Sequence, residues 1–268
     1  VPARLARGEP GDRAAAVRLL GALVERGERR AAADLLARAA PGDWLDAPVA
    51  ALDLLLGAGD AHRAGEAAGA LTGADLAPLV AGERRRLMRG LARAGAPERA
   101  LALVPGSDAA SRLLTIRLLL DAHRDEEAAG RLDSPELRGP LPHELEVERA
   151  LLTAEREGRR ARYAAAARAF ARVERLLPSL HPPEALEAAS TAGWLAIDQG
   201  RTDAALAFFR LARDVASDDG RRADASFDMA AALGHAGRFA DAERALDEAL
   251  ALYASAGDRD RYLSALGN

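Results

Sequence analysis

The chain reads LEAASTAGWLAIDQGRTDAALAFFRLARDVASDDG over residues 186–220 and RRADASFDMAAALGHAGRFADAERALDEALALYASAGD over residues 221–258. A shift of 37 positions superimposes the two stretches and places Gly200 on Gly237. Each stretch holds two helical patterns separated by a glycine turn, which predicts a helix–turn–helix unit repeated in tandem. A third copy has begun when the chain stops at Asn268, so we expect a fragment of a longer protein.

The composition favours helices and excludes several kinds of chemistry. The 268 residues are 49% apolar but only 4% aromatic, and all 37 basic residues are arginine. Alanine and leucine are good helix formers, whereas a sheet protein needs more aromatic and β-branched residues. Without lysine or cysteine, the chain lacks a Schiff-base or Walker A lysine, a thiol nucleophile and a thiolate metal site. A net charge of −4 gives no general attraction to nucleic acid or to anionic membranes.

Short breaks containing Gly, Pro or Asp divide the chain into predicted helices. The turns within helix pairs are centred near 27, 59, 95, 123, 158, 200 and 237, about 35 residues apart. The predicted helices cover 13–25, 29–39, 47–57, 61–71, 80–94, 97–104, 108–122, 125–131, 143–157, 160–177, 183–199, 202–217, 221–236 and 239–256. A repeat period in the thirties predicts an all-α solenoid of about seven antiparallel helix pairs.

The strongest internal break is residues 133–142, which contain three prolines. It separates degenerate helical repeats over 1–132 from clearer repeats over 143–268, the last of which is truncated. We expect the two regions to form one continuous solenoid, because each pair in such an array exposes an apolar face that only the next pair covers.

The clearest repeat alternates small and large apolar residues. Gly193 stands where the first helix of a pair approaches the second, and Ala205 and Ala212 let the second helix pack closely on its neighbours. Phe209 fills the space between them. Small residues beside large ones allow the helices to interdigitate at the density of a protein interior.

These residues resemble tetratricopeptide repeats. The matching positions are Gly193, Gly200, Ala205, Phe209 and Ala212, then Ala230, Gly237, Ala242, Leu246 and Ala249, with Ala166, Phe170, Val173 and Pro178 in the preceding pair. The chain departs from the family pattern where an early tryptophan is usual, since Ala189 and Ser226 stand there, and the match is convincing only over about 160–268. The resemblance implies a right-handed superhelix whose concave groove is lined mainly by the first helix of each pair.

Longer units of this kind resemble the repeat regions of large bacterial signalling and transcription regulators. The composition, rich in Ala, Arg and Gly, is also typical of a high-GC bacterial genome. The resemblance therefore implies a non-catalytic interaction or scaffold module of a cytoplasmic bacterial regulator. A small-molecule-sensing repeat domain of a transcription regulator is the alternative.

The groove positions implied by the resemblance form an acidic–aromatic strip. Its members are Glu187, Trp194, Asp198, Asp224, Phe227, Asp228 and His235. Aromatic anchors with flanking charge are typical of binding hot spots. The alternative is that Trp194 and Phe227 are ordinary packing residues, since a large helical aromatic usually belongs to the core.

The charge of the strip indicates its partner. A protein or peptide segment that is basic or amphipathic suits acidic residues better than an acidic tail does. The parent protein's own effector domain is an equally open partner. The family's basic clamp for a peptide carboxylate is absent, because acidic residues stand at its positions.

Other clusters point to no chemistry. The arginines between Arg84 and Arg93, and those at 159–162, are expected to be solvated and ion-paired helix faces, so we expect no nucleic-acid partner. The five histidines show no ligand spacing, and no nucleophile motif is present, so we expect no metal, no cofactor and no catalytic residue. No apolar run is long enough to span a membrane, and no signal peptide is visible.

Overall fold

The computed structural model describes residues 22, 52, 55–56, 61–71, 76, 81–104 and 106–266, and every regular element within them is helical. The chain divides into two compact units, Val1–Arg131 and Leu132–Asn268. The predicted helices at 13–25, 29–39 and 47–57 lie outside the described residues apart from isolated positions. The all-α fold class is therefore confirmed for the described residues, whereas one continuous solenoid across both units stays a prediction.

The helices of the first unit pack around a leucine-rich core. They are α1 (Ala61–Ala70), α2 (Ala81–Arg93), α3 (Pro97–Leu103) and α4 (Ala109–Asp121), and α5 (Asp125–Leu132) begins in it. Leu76, Met88, Leu91 and Leu118 are fully buried and belong to one core cluster. Asp108 caps α4 by accepting a hydrogen bond from the Ser111 backbone N–H at 3.0 Å, as its place before an apolar helix predicts.

An arginine side chain closes the end of α1. The Nε atom of Arg99, on α3, donates to the Ala68 carbonyl at 2.9 Å. Its Nη2 atom donates to the carbonyls of Gly69 at 3.0 Å and Leu71 at 2.5 Å. The last carbonyls of a helix lack partners within the helix and carry partial negative charge, so a guanidinium there both satisfies them and fixes α1 against α3.

The second unit consists of packed helix pairs. These are α6 (His143–Arg159) with α7 (Tyr163–Leu176), α8 (Pro182–Asp198) with α9 (Thr202–Val215), and α10 (Asp219–His235) with α11 (Phe239–Ser255), followed by α12 (Arg259–Leu266). The first helices of successive pairs contact one another, α6 with α8 and α8 with α10. The predicted helices from 143 to 256 are confirmed to within three residues at each end.

The proline-rich break at 133–142 is fixed to the second unit. Arg156, on α6, pairs with Asp133 at 2.7 Å, and Arg149 donates to the Leu137 carbonyl. Glu146 accepts a hydrogen bond from the Leu141 backbone N–H at 3.3 Å and also binds Arg149. The side chains of α6 therefore supply the hydrogen bonds that a proline-rich backbone cannot make with itself.

The turns within the pairs share one geometry. Ala161, Gly200 and Gly237 each have a positive φ, between 55° and 71°. Beyond Gly200, the Arg201 backbone N–H donates to the Ala196 carbonyl at 2.8 Å, and the Gly200 N–H donates to the Ile197 carbonyl at the same distance. This pair of bonds is the Schellman arrangement, in which a left-handed residue ends the helix. Glycine adopts that conformation without steric cost, and Ala161 does not.

One predicted turn is misplaced. A turn centred on 158 was expected because of Gly158, but α6 continues to Arg159 and the left-handed residue is Ala161. A Cβ atom on Gly158 would lie 2.3 Å from Nε2 of Gln199, which donates to the Ala154 carbonyl at 3.0 Å. The glycine therefore serves close approach between α6 and the end of α8, and it does not end the helix.

The predicted roles of the small residues are confirmed in the α8–α9 pair. A Cβ atom on Gly193 would lie 2.4 Å from Cε1 of Phe209, so the glycine is required where α8 meets α9. Ala205, Phe209 and Ala212 are each fully buried. In the next pair Ala249 is fully buried, but Ala242 and Leu246, the counterparts of Ala205 and Phe209, are half-buried, so the packing pattern recurs only in part.

Candidate functional site

The acidic–aromatic strip lies on α8 and α10, which are the first helices of adjacent pairs and contact each other. Residues 187, 194 and 198 of α8 are separated by seven and four positions, and so share one helical face. Residues 224, 228 and 235 of α10 are separated by four and seven positions, so they also share one helical face. The fold therefore brings two polar stripes side by side.

Trp194 is the aromatic anchor of the strip. Its side chain is 39% exposed, an unusual fraction for a tryptophan that also packs on the core. The ring meets the buried ring of Phe209 edge to face, with centroids 5.7 Å apart and planes at 69°. Its indole N–H lies near enough to the carboxylate of Asp228 to lower the pKa of that group. The ring is thus supported by Phe209 and lies beside a carboxylate, while part of it remains exposed to water.

Asp228 is a half-buried carboxylate on α10. Burial, followed by the negative charge of Asp224, raises the pKa of Asp228 to about 7, and the nearby indole N–H of Trp194 opposes the shift. Among the described residues, no arginine or histidine forms an ion pair with it. A carboxylate in that state attracts a cation, because a counterion would relieve both the desolvation and the repulsion.

Asp224 lies one helical turn before Asp228 and has two partners. The hydroxyl of the buried Tyr253, on α11, donates to Asp224 Oδ1 at 2.8 Å. Nη1 of Arg261, on α12, binds Asp224 Oδ2 at 2.8 Å, and Arg261 also pairs with Asp258. Burial raises the pKa of Asp224, while the hydrogen bond from Tyr253 and the charge of Arg261 lower it. Burial and the bond to Asp224 raise the pKa of Tyr253.

The remaining predicted members of the strip divide into two groups. Glu187, Asp198 and His235 are exposed on the helices that carry Trp194 and Asp228. Phe227 differs from the expectation of a groove aromatic, since it is half-buried and packs against the core cluster that includes Tyr253. It precedes Asp228 by one residue, and a step of one residue turns the side chain by about 100° around a helix. For Phe227 the packing interpretation is therefore the better one.

Residues that the sequence interpretation missed complete the site. Tyr253 and Arg261 supply the donors to Asp224, and Phe209, assigned only to packing, supports Trp194. The repeat register contains a signal for one of them. Arg261 follows Asp224 by 37 positions, so it occupies the equivalent place on the next first helix, where opposite charges meet across adjacent helices.

The arginine clusters are engaged within the chain. Arg159 pairs with the buried Glu155 at 2.7 Å, and Arg162 approaches Glu157 at 3.8 Å. On α2, Arg84 and Arg89 are half-buried, whereas the side chains of the other arginines in that cluster lie outside the described residues. The ion-paired state expected for the second cluster is confirmed for these two pairs.

Among the described residues, no three His, Asp or Glu side chains are grouped so as to hold a metal ion. Across the same ranges, no helix has both the length and the apolar character needed to cross a bilayer.

Comparison with known proteins adds little. No protein-family model matches the chain, and no curated protein matches it. Twenty-nine chains of solved structures match, among them one titled "Crystal structure of BtubC (BKLC) from P. vanneervenii". It is 16% identical in sequence, and the match covers 91% of this chain and 92% of that chain with a TM-score of 0.41. A likeness at that level carries no argument about function.

Proposed function

We propose that the second unit is a non-catalytic protein-interaction module that binds a basic or amphipathic segment along α8 and α10. The observation that carries the proposal is Trp194, a tryptophan ring that packs edge to face on Phe209, lies near Asp228 and yet is 39% exposed. A rigid aromatic loses little conformational entropy on binding, which is why such residues dominate interface energies. Neighbouring carboxylates give the surface its preference for positive charge.

The proposal extends to the architecture of the module. The left-handed turn residues at 161, 200 and 237 recur after 39 and 37 residues, and the first helices contact in order. Both features support a right-handed superhelix of the tetratricopeptide kind with the strip in its groove. Small-angle scattering and an experimental structure would test the superhelix, and a set of helix pairs that do not stack in register would contradict it.

The setting of the module is part of the proposal. The composition and the repeat resemblance support a place in a larger cytoplasmic bacterial regulator, with the bound segment supplied by a partner or by the regulator's own effector domain. The two sources are distinguished by whether the isolated chain binds the effector domain when it is added in trans.

A displayed library of short peptides tests the binding function directly. The chain should enrich segments with positive charge, and Trp194→Ala or a combined Asp198→Arg and Asp228→Asn substitution should abolish the enrichment. Phe239→Ala and Asp247→Arg are matched controls, because Phe239 is 73% exposed, Asp247 is also exposed, and both lie on α11, which carries none of the predicted strip residues. Circular dichroism of each variant verifies that the fold is retained.

Two outcomes would contradict the proposal. Enrichment that survives Trp194→Ala would place binding elsewhere on the chain. A library that yields no segments, together with a rise in melting temperature on adding a metabolite, would favour the small-molecule sensor instead.

A further inference from the structure

Asp224 and Asp228, one helical turn apart on α10, differ in their partners. Asp224 accepts a hydrogen bond from the Tyr253 hydroxyl and binds the guanidinium of Arg261, each at 2.8 Å. The indole N–H of Trp194 lies near enough to Asp228 to lower its pKa. Among the described residues, however, no guanidinium pairs with Asp228, and Arg261 binds Asp224 and Asp258 instead. One carboxylate thus has an aromatic neighbour and a cation, whereas the next has an aromatic neighbour and no cation.

We propose that Trp194 and Asp228 form a subsite for an arginine side chain of the bound segment. This inference rests on the proposed function. The guanidinium would pair with the Asp228 carboxylate, whose two oxygens can accept two parallel hydrogen bonds. Its flat face would lie against the exposed part of the Trp194 ring, where a cation is attracted by the π-electrons.

Arginine fits this subsite better than lysine. A guanidinium is planar, binds a carboxylate through two parallel hydrogen bonds and stacks on aromatic rings, whereas an ammonium is a strongly hydrated point charge. The second unit already contains both contacts in its own packing. The guanidinium of Arg201 lies over the Phe170 ring at 5.2 Å, and that of Arg261 binds Asp224.

The indole N–H resonance of Trp194 reports on the subsite directly. The chain has two tryptophans, and a Trp44→Phe variant assigns the signal. We expect N-acetylarginine amide, added in the millimolar range at pH 8 and constant ionic strength, to shift that signal saturably. The citrulline amide, which has the same shape without the charge, should not shift it. Asp228→Asn keeps an oxygen acceptor for the indole and should weaken the arginine effect at least tenfold, whereas Asp247→Asn should leave it unchanged.

Three results would overturn the assignment. An equal shift with citrulline amide would show that charge is not recognised, and an unchanged shift in Asp228→Asn would remove the carboxylate from the site. Equal or tighter binding of N-acetyllysine amide would refute the preference for a guanidinium.

Failure of the subsite is distinguishable from failure of the proposed function. Capture of basic segments with no arginine effect on Trp194 would refute the subsite alone. Arginine binding without capture of any segment would leave the subsite and refute the interaction module.

Discussion

The charge of Asp228 should destabilise the fold that carries it, and Asp228→Asn measures that effect. An unfolded aspartate loses its proton near pH 4, whereas burial and Asp224 raise the pKa of Asp228 to about 7. Between these two values the native state binds more protons than the unfolded state, so stability falls as the pH rises. Above pH 7 both states are ionised and the full loss is present.

The magnitude follows from the pKa difference. Each unit is worth about 1.4 kcal/mol, so a shift of about three units corresponds to a loss of roughly 4 kcal/mol at pH 8. About 1.5 kcal/mol of it is already present at pH 5, because the unfolded carboxyl is ionised there. Contact with water on the open side of the strip lessens both figures. We therefore expect the advantage of Asp228→Asn over the parent chain to grow by about 1.5–2.5 kcal/mol from pH 5 to pH 8.

Urea unfolding followed by tryptophan emission and by far-ultraviolet circular dichroism at the two pH values measures this growth. At roughly 3 °C per kcal/mol, it corresponds to about 4–8 °C in melting temperature. The titratable groups that interact with Asp228 are Asp224 on its own helix and Tyr253 on α11, and both are retained in the variant. Asp247→Asn, the same change at an exposed site, should show no such growth. An advantage for Asp228→Asn that is equal at pH 5 and pH 8 would refute the reasoning.

Three further predictions concern the helices around the strip. Gly193→Ala should destabilise the second unit by about 1–3 kcal/mol, because the added Cβ meets Phe209. Gly234→Ala should stabilise the same unit by about 0.5–1 kcal/mol, because its Cβ meets nothing within 4 Å. The urea midpoints of the two variants measure both effects. Ala161→Gly should stabilise the α6–α7 turn by up to about 1 kcal/mol because its φ is 55°, and a lower melting temperature would show that the positive φ carries no strain. Ser226→Ala should leave stability unchanged or raise it by about 1 kcal/mol, since the hydroxyl is fully buried without a hydrogen-bond partner; a loss above 1 kcal/mol would indicate a bound water there.

The helix pairs of the second unit could be predicted because their signals are local. Gly200 and Gly237 mark the turns, and the apolar period between them needs no knowledge of the neighbouring helices. Gly158 was misinterpreted because a glycine that ends a helix and one that admits a neighbouring side chain look alike in a sequence. Only the position of Gln199, contributed by the next pair, distinguishes the two roles.

The candidate site could be predicted only in part, for a related reason. The helical period places Asp224 and Asp228 on one face, but it does not show which carboxylate has a cation. That difference depends on Tyr253 and Arg261, which come from two later helices. Phe227 was assigned to the wrong face of α10. It is adjacent to Asp228 in the sequence, and a shift of one residue in the helical register is enough to exchange the groove face for the core face.

The repeat itself indicates that the charge at position 228 is not needed for packing. A shift of 37 residues places Thr191 and Ala265 at the equivalent positions of the neighbouring first helices, and neither carries a charge. The fold therefore accepts an uncharged residue at this point, and asparagine would keep an acceptor for Trp194 without the desolvation of an ionised group. A carboxylate that the repeat does not require, and that destabilises the folded state at neutral pH, is typical of a residue retained for binding. If Asp228→Asn both stabilises the chain and loses the arginine effect, the strip has exchanged stability for recognition at this one residue.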